Sequence, residues 1–423
     1  MFLRLILAVI LFVAACSPHG VRAADWPQFR GPAGLGSSSE AGIPTRWSAE
    51  ENIVWKADLP GFGGSCPIVC GTRVFVTCYT GYGQDIEKPG REEDLARELL
   101  CFERSTGKKL WSRRVPAAQP EANYLDFLVL HGYATSTPVC DGERVYVFFG
   151  KSGVYAYDLE GREQWHADVG SSFHYWGSAA SPIVLGEHVI VNAAIEGQAV
   201  LALDRKTGKE IWRAKNLISS WSTPVPVETA DGKRELVISV KGKLVALDPA
   251  TGERRWSFKT NQSYASPTPI AGKGVLYAVD ARPSAVFAIR TGGEGDVTET
   301  HVVWRADGVG SGITSPARSG EHLFTVDDAG LAACIEVATG KVLTKKRLRA
   351  DQSKFYASPI VADGKVIAVS REAGAFVLSA DAELRELSVN RLDASIANAT
   401  PAAAGGQLFL RTNLAIYCIG SKQ

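Results

Sequence analysis

The sequence predicts an all-β fold, a single eight-bladed β-propeller of four-stranded antiparallel blades over residues 24–423, closed by an N-terminal strand. Three observations predict it. A small-hydroxyl-Pro-apolar element recurs, with its proline at Pro67, Pro138, Pro182, Pro224, Pro267, Pro316, Pro359 and Pro401. The successive gaps of 71, 44, 42, 43, 49, 43 and 42 residues centre on the length of one four-stranded propeller blade, and the first is long because blade 1 carries insertions. A turn with an acidic residue, Thr-Gly and a tryptophan four residues past the glycine also recurs, and the last copy lacks a fourth strand that the N-terminal end can supply.

Each blade reads in the same order. After the proline strand and a turn comes a second apolar run, such as Arg73-Val74-Phe75-Val76, Arg144-Val145-Tyr146-Val147 and Gln407-Leu408-Phe409. Such runs suit half-buried strands. The third strand leads into Glu103…Thr106-Gly107…Trp111, Asp204…Thr207-Gly208…Trp212 and Asp248…Thr251-Gly252…Trp256, while Asp158…Gly161…Trp165 keeps all but the threonine. Glycine supplies the positive φ of the turn, and the Asp and Thr side chains satisfy its backbone groups. The tryptophan is expected as a wedge between neighbouring blades. Blade 8 ends at its third strand, Ala415-Ile416-Tyr417-Cys418-Ile419, whereas Asn52-Ile53-Val54-Trp55-Lys56 reads as a fourth strand with no turn before it. Joining the two leaves no open edge in the ring.

Composition agrees. Forty-two glycines and one methionine favour many short strands over long helices. With 46 basic against 45 acidic residues there is no strong field to attract nucleic acid or anionic lipid. Arg4 followed by the apolar run Leu5 to Ala15 and Ser17-Pro18-His19-Gly20 reads as an export signal, residues 1–23, too short to span a bilayer. Cleavage after Val21-Arg22-Ala23 gives a periplasmic or extracellular protein. Val13-Ala14-Ala15-Cys16 offers the alternative of a lipoprotein signal cleaved before Cys16, with a lipid anchor there. No later stretch is long enough for a transmembrane segment.

Seven cysteines remain outside the signal. Cys101, Cys334 and Cys418 fall at the third-strand position filled by Ala156, Ala202, Ala246, Ala288 and Ser379, where a free thiol acts as a small hydrophobe. Cys70 and Cys140 share a first-strand position, and Cys78–Cys101 is the first pairing to test as a disulfide. No spacing suggests a metal cluster.

Loops before the innermost strands and between the second and third strands open on one face around a propeller channel. The first set offers Tyr133, His174, Tyr175, Trp176, Trp221, Asn261, Tyr264, Lys354, Tyr356 and Asn398, and the second Lys151, Glu196, Lys241, Asp280, Arg282, Asp327, Arg371 and Arg411. Trp221, Tyr264 and Tyr356 each stand three residues before the blade proline and are expected at the channel mouth. Blade 1 carries an insertion in which Gly90–Glu98 is expected as a short capping helix, and 117–130 form a second excursion ending in Phe127-Leu128-Val129-Leu130.

From about Trp26 to Gly420 the proline strand and the Asp-x-x-Thr-Gly-x-x-x-Trp turn resemble the pyrroloquinoline-quinone (PQQ)-like β-propeller repeat family, and within it the exported propellers related to the outer-membrane assembly factor B. The resemblance implies the fold. It leaves function open between quinoprotein dehydrogenases and non-catalytic scaffolds. The enzyme branch implies PQQ, a calcium ion, for whose oxygen ligands Glu196, Asn261 and Asp280 are the candidates, a carboxylate base, and a tryptophan beneath the quinone, for which Trp221 is the candidate. The alcohol-oxidising branch also implies adjacent cysteines, and this sequence has none. The expectation is therefore a non-catalytic exported scaffold, without cofactor, for a protein partner or small ligand. A PQQ-dependent oxidoreductase acting on alcohols or sugars is the runner-up, and a carbohydrate-binding propeller the third reading.

Overall fold

A computed structural model describes residues 25–281 and 283–421; residues 1–23, expected as an export signal, with Cys16, and Arg282 lie outside the described residues. Eight antiparallel sheets of four strands follow one another along the chain. In blade 1 the strands are Ile68–Cys70, Arg73–Thr80, Ala96–Glu103 and Lys109–Pro116, and hydrogen bonds join them in chain order. Two sheets gain a short parallel strand: Ser37–Ser38 on the inner edge of blade 7 and Gly295–Asp296 on the outer edge of blade 4. Among the described residues no helix is long and apolar enough to cross a membrane.

The ring closes as the sequence predicts. Ile53–Asp58 lies antiparallel to Ala415–Ile419, with Trp55 opposite Cys418 and Lys56 opposite Tyr417. A register shift just before Trp55 recurs at the equivalent place in all eight blades. One extra residue there bends and twists the outer strand, so that each tryptophan turns toward the following blade. Trp55, Trp111, Trp165, Trp212 and Trp304 each donate the indole N–H to a carbonyl in the next blade's turn, at 2.8–3.1 Å. The ring faces that turn's glycine: a Cβ on Gly107 would lie 2.5 Å from Trp55 and one on Gly208 2.6 Å from Trp165. Trp256 differs because blade 5 has an insertion after its turn, and its indole donates instead to the buried Glu235 carboxylate at 2.8 Å.

Four expectations need correction. In blade 5 Ile270 pairs with Tyr277 as Ile68 pairs with Phe75, so the blade proline is Pro269, not Pro267. The tandem Pro267-Thr268-Pro269 allowed either reading, and ladder register decides it. In blade 7 Val377, not Ser379, pairs with Ile367 at the position of Cys101 and its equivalents. Cys78 faces Glu98, and Cys101 faces Phe75, so a Cys78–Cys101 bond is excluded by register. Cys70 and Cys140 instead form a disulfide across the seam between blades 1 and 2, with Cα atoms 6.4 Å apart; the other five described cysteines are free and buried. The capping helix of Gly90–Glu98 shrinks to a single 3₁₀ turn, Glu92–Asp94, because Ala96–Glu103 is committed to the third strand.

Beneath the ring, the segment after Trp26 crosses the channel. Trp26 exchanges both backbone hydrogen bonds with Val69, and Ser37–Ser38 joins blade 7. Between them Arg30, 1% exposed, donates to the carbonyls of Pro359 (2.8 Å) and Pro316. The channel is thereby sealed at one end.

Candidate functional site

An axial cavity of about 750 Å³ remains open toward the other end. Its floor is Phe29 of the crossing segment. Its lower wall is made by the residue before each blade proline: Cys66, Thr137, Ser181, Thr223, Thr268, Ser315, Ser358 and Thr400. Each backbone N–H from Cys66 round to Ser358 donates to the side-chain oxygen of the next member, at 2.9–3.2 Å. Thr400 closes the circuit on the Cys66 thiol through its backbone and side chain. This ring explains why the sequence places a small hydroxyl residue before nearly every blade proline: the position satisfies the next blade's backbone at the crowded axis. Burial holds the Cys66 thiol above its ordinary pKa, so it stays protonated.

Above the ring the wall becomes aromatic. Trp176, Trp221, Tyr264 and Tyr356 all line the cavity. Trp176 and Tyr264 have ring centres 4.2 Å apart, and Trp221 lies 5.3 Å from Trp176, its indole donating to Gly177 O at 2.8 Å. His174 extends this cluster, 4.1 Å from Tyr175 and 5.0 Å from Trp221, and burial lowers its pKa. With Pro269 as the blade proline, Ser266 rather than Tyr264 is the repeat equivalent of Trp221; both face the cavity.

The excursion before blade 2 covers part of the mouth. Its helix α1, Phe127–His131, contributes Phe127, Leu130 and His131 to the cavity wall. Phe127 packs on Trp176 of the blade 3 loop at 4.5 Å. Across the channel, Leu130 O accepts from Arg371 of blade 7 (2.7 Å) and from Asn398 ahead of blade 8. The His131 pKa falls to about 4 through burial, so the lid residue is neutral at ordinary pH. The root of the excursion is pinned by a buried ion pair, Arg97 to Glu121 at 2.8 Å, with Arg97 also donating to Tyr133 O.

The remaining candidates divide. Tyr133 is buried beneath the excursion, donating to Ala122 O, and Arg371 sits behind Tyr356 with its guanidinium 5.9 Å from that ring. Lys354 is exposed and lies 3.8 Å from the mouth carboxylate of Asp328. Lys151 donates to Pro120 O and lies over Phe173, and Lys241 is exposed outside the cavity wall. Asp327 accepts the turn N–H groups of Ala329 and Leu331. Arg411 is 1% exposed and bridges the closing seam, donating to Ser65 Oγ and Thr77 O of blade 1.

The three calcium candidates do not converge on one site. Asp280 is buried and spends its carboxylate on the N–H groups of Asn261 and Ala281, on blade 5. Glu196 lies on blade 3, bonded to Ser178, and burial lifts its pKa to about 7. Among the described residues no group of three or more His, Cys, Asp or Glu is placed to hold a metal ion.

Sequence reading missed the hydroxyl ring and the lid contacts of Arg371 and Asn398. The ring had a signal, a small hydroxyl residue before the blade prolines, whereas nothing local announces a helix reaching across the axis.

An eight-bladed ring with one sealed end, an aromatic mouth and repeat-encoded blade seams defines the class, a PQQ-like β-propeller. The chain belongs to the family described as outer membrane protein assembly factor BamB, whose profile matches residues 45–215, 196–293 and 295–416. It is 32% identical over 136 residues to the outer membrane protein assembly factor BamB of Burkholderia pseudomallei (strain K96243), and that match spans about a third of the length of the curated relative. Among solved structures, BamB from Moraxella catarrhalis superposes with a TM-score of 0.61 at 13% identity, over 88% of this chain and 98% of that one. The quinohemoprotein alcohol dehydrogenase of Comamonas testosteroni gives 0.65 at 13% identity, over 96% of this chain and 82% of that one. At such identities these likenesses show the fold alone.

Proposed function

We propose that this chain is an exported, non-catalytic scaffold that holds a protein partner of outer-membrane assembly against the mouth face of the ring. Membership of the assembly-factor family supports the reading. The observation that carries it is the exposed apolar rim of that face. Phe173 and Tyr175 stand 47% and 49% exposed beside the packed Trp176 cluster, Tyr264 is 40% exposed, and Leu125 of the excursion is 60% exposed. Large exposed aromatics grouped on one face, backed by rigid neighbours, suit a binding hot spot.

The quinone alternative fits the residues poorly. The carboxylate of Asp280 is committed to backbone groups, and Glu196 is turned into the blade 2–3 region toward Ser178. No calcium-binding set is assembled from these two carboxylates.

Two measurements test the proposal together. A photo-crosslinking residue placed at Tyr175 in the native host is expected to capture an outer-membrane assembly component, while one at the outer-strand residue Ile211 is not. Calorimetric titration with PQQ and calcium is expected to give no stoichiometric heat, and dye-linked oxidation of alcohols and sugars no turnover. Tight binding with turnover overturns the scaffold reading.

A further inference from the structure

The axial ring carries two features that the scaffold role does not use. Ser181, Thr223, Thr268, Ser315 and Ser358 each accept a neighbour's backbone N–H, and their own O–H groups donate to no group among the described residues. These hydroxyls line the cavity at one level, so they present a set of uncommitted donors to the axis.

Two arginines stand directly behind this ring. Arg30 binds the carbonyls of Pro316 and Pro359, each one residue past a ring serine, and its Nε–H has no partner among the described residues. Arg411 binds Ser65 Oγ, one residue before Cys66, and its Nη2 likewise lacks one. Each is 1% exposed, and every hydrogen-bond partner shown for either is a carbonyl or a hydroxyl, not a carboxylate. Both act electrostatically on the Cys66 thiol, a member of the ring. Buried cations are normally paired, because an unpaired one loses its hydration without recompense. Burial has drawn both guanidinium pKa values down to about 10, yet each stays charged at neutral pH.

We propose that the hydroxyl ring is a binding site for a small anion, either a free inorganic ion or the carboxylate head of a larger ligand entering through the aromatic mouth. The hydroxyl protons supply direct contacts, and Arg30 and Arg411 supply the positive potential from behind the wall. Neither of them lines the cavity itself, which is otherwise neutral apart from Asp328 near the mouth. A cation would meet the repulsion of the two buried guanidinium groups, whereas an anion meets both that potential and the O–H donors.

The test uses the whole protein. Crystals grown in sodium bromide are expected to show an anomalous peak on the axis within hydrogen-bonding distance of Ser315 and Ser358. In solution, bromide and acetate at matched ionic strength are expected to raise the unfolding midpoint, and an acetate effect exceeding that of bromide identifies a carboxylate head as the favoured form. Arg30→Met and Arg411→Met should each weaken the anion effect by roughly tenfold, as loss of a nearby buried charge acting through the wall does. Ser358→Ala, which keeps both arginines, should weaken it as well, so the test survives if an arginine variant fails to fold. Ordered water on the axis with no anomalous peak, or a midpoint insensitive to anion identity in the native protein, overturns the proposal.

Discussion

Removing the side chain of Trp55 tests how the ring is closed. Trp55 is 7% exposed, its indole donates to Arg104 O at 2.8 Å, and its ring lies against Phe409 with centres 5.9 Å apart. Every one of those contacts joins the chain's beginning to its end or to blade 1. Truncating a buried tryptophan to alanine costs about 3–5 kcal/mol, and loss of the indole hydrogen bond falls within that sum. Trp212 makes the same contacts inside the repeat: it is 7% exposed, bonded to Pro249 O at 3.1 Å and packed on Gly252. Trp55→Ala and Trp212→Ala are therefore expected to lose equal stability within about 1 kcal/mol in urea unfolding. If the N-terminal strand were undocked, Trp55 would be a surface residue, and its removal would cost less than about 0.5 kcal/mol. A near-neutral Trp55→Ala beside a strongly destabilised Trp212→Ala would refute the closure.

Other expectations follow from the same contacts. Gly208→Ala should cost about 3 kcal/mol in the same assay, because φ is +71° there and the new Cβ would sit 2.6 Å from Trp165. Replacing Cys70 and Cys140 together with serine should cost about 2–4 kcal/mol, and alkylation of the denatured, unreduced chain should spare those two thiols. The Glu196 carboxyl has a folded pKa of about 7 against an ordinary 4.5, so the folded state keeps a proton that the unfolded chain has lost. Its contribution to stability is full below about pH 4.5 and falls by on the order of 3 kcal/mol as pH rises to about 7; Glu196→Gln should flatten that slope. His131, with a folded pKa of about 4 against 6.5, acts oppositely, so the glutamine variant should unmask a loss of stability as pH falls from 6.5 toward 4.

Much of this architecture was legible because a repeat states each structural need eight times. The turn glycine and the tryptophan wedge were each legible from sequence, whereas the packing of one blade's wedge on the next blade's turn glycine, as at Gly107 and Gly208, shows only in the structure. Where repeats degenerate, register replaces spelling: the Pro267 and Ser379 assignments each missed by two residues because blade 5 doubles its proline and blade 7 has lost its Thr-Gly-Trp. The Cys70–Cys140 bond was half visible, as equivalent positions on neighbouring blades lie side by side at the axis. The mouth was less legible. Trp176, Trp221, Tyr264, Tyr356 and Asn398 do line the cavity, but Tyr133, Lys151 and Arg371 serve to hold the excursion or its lid in place. Only long-range packing decides which loop residue faces the axis and which faces a neighbour.

Hydrogen exchange of the intact protein addresses the closed ring most directly. The amides of Ile53–Asp58 that bond to Ala415–Ile419 should exchange as slowly as their partners and lose protection together with them as denaturant is added. Exchange of the 53–58 amides at the rate of an unstructured peptide, with Ala415–Ile419 still protected, would mean that the chain's two ends do not form one blade.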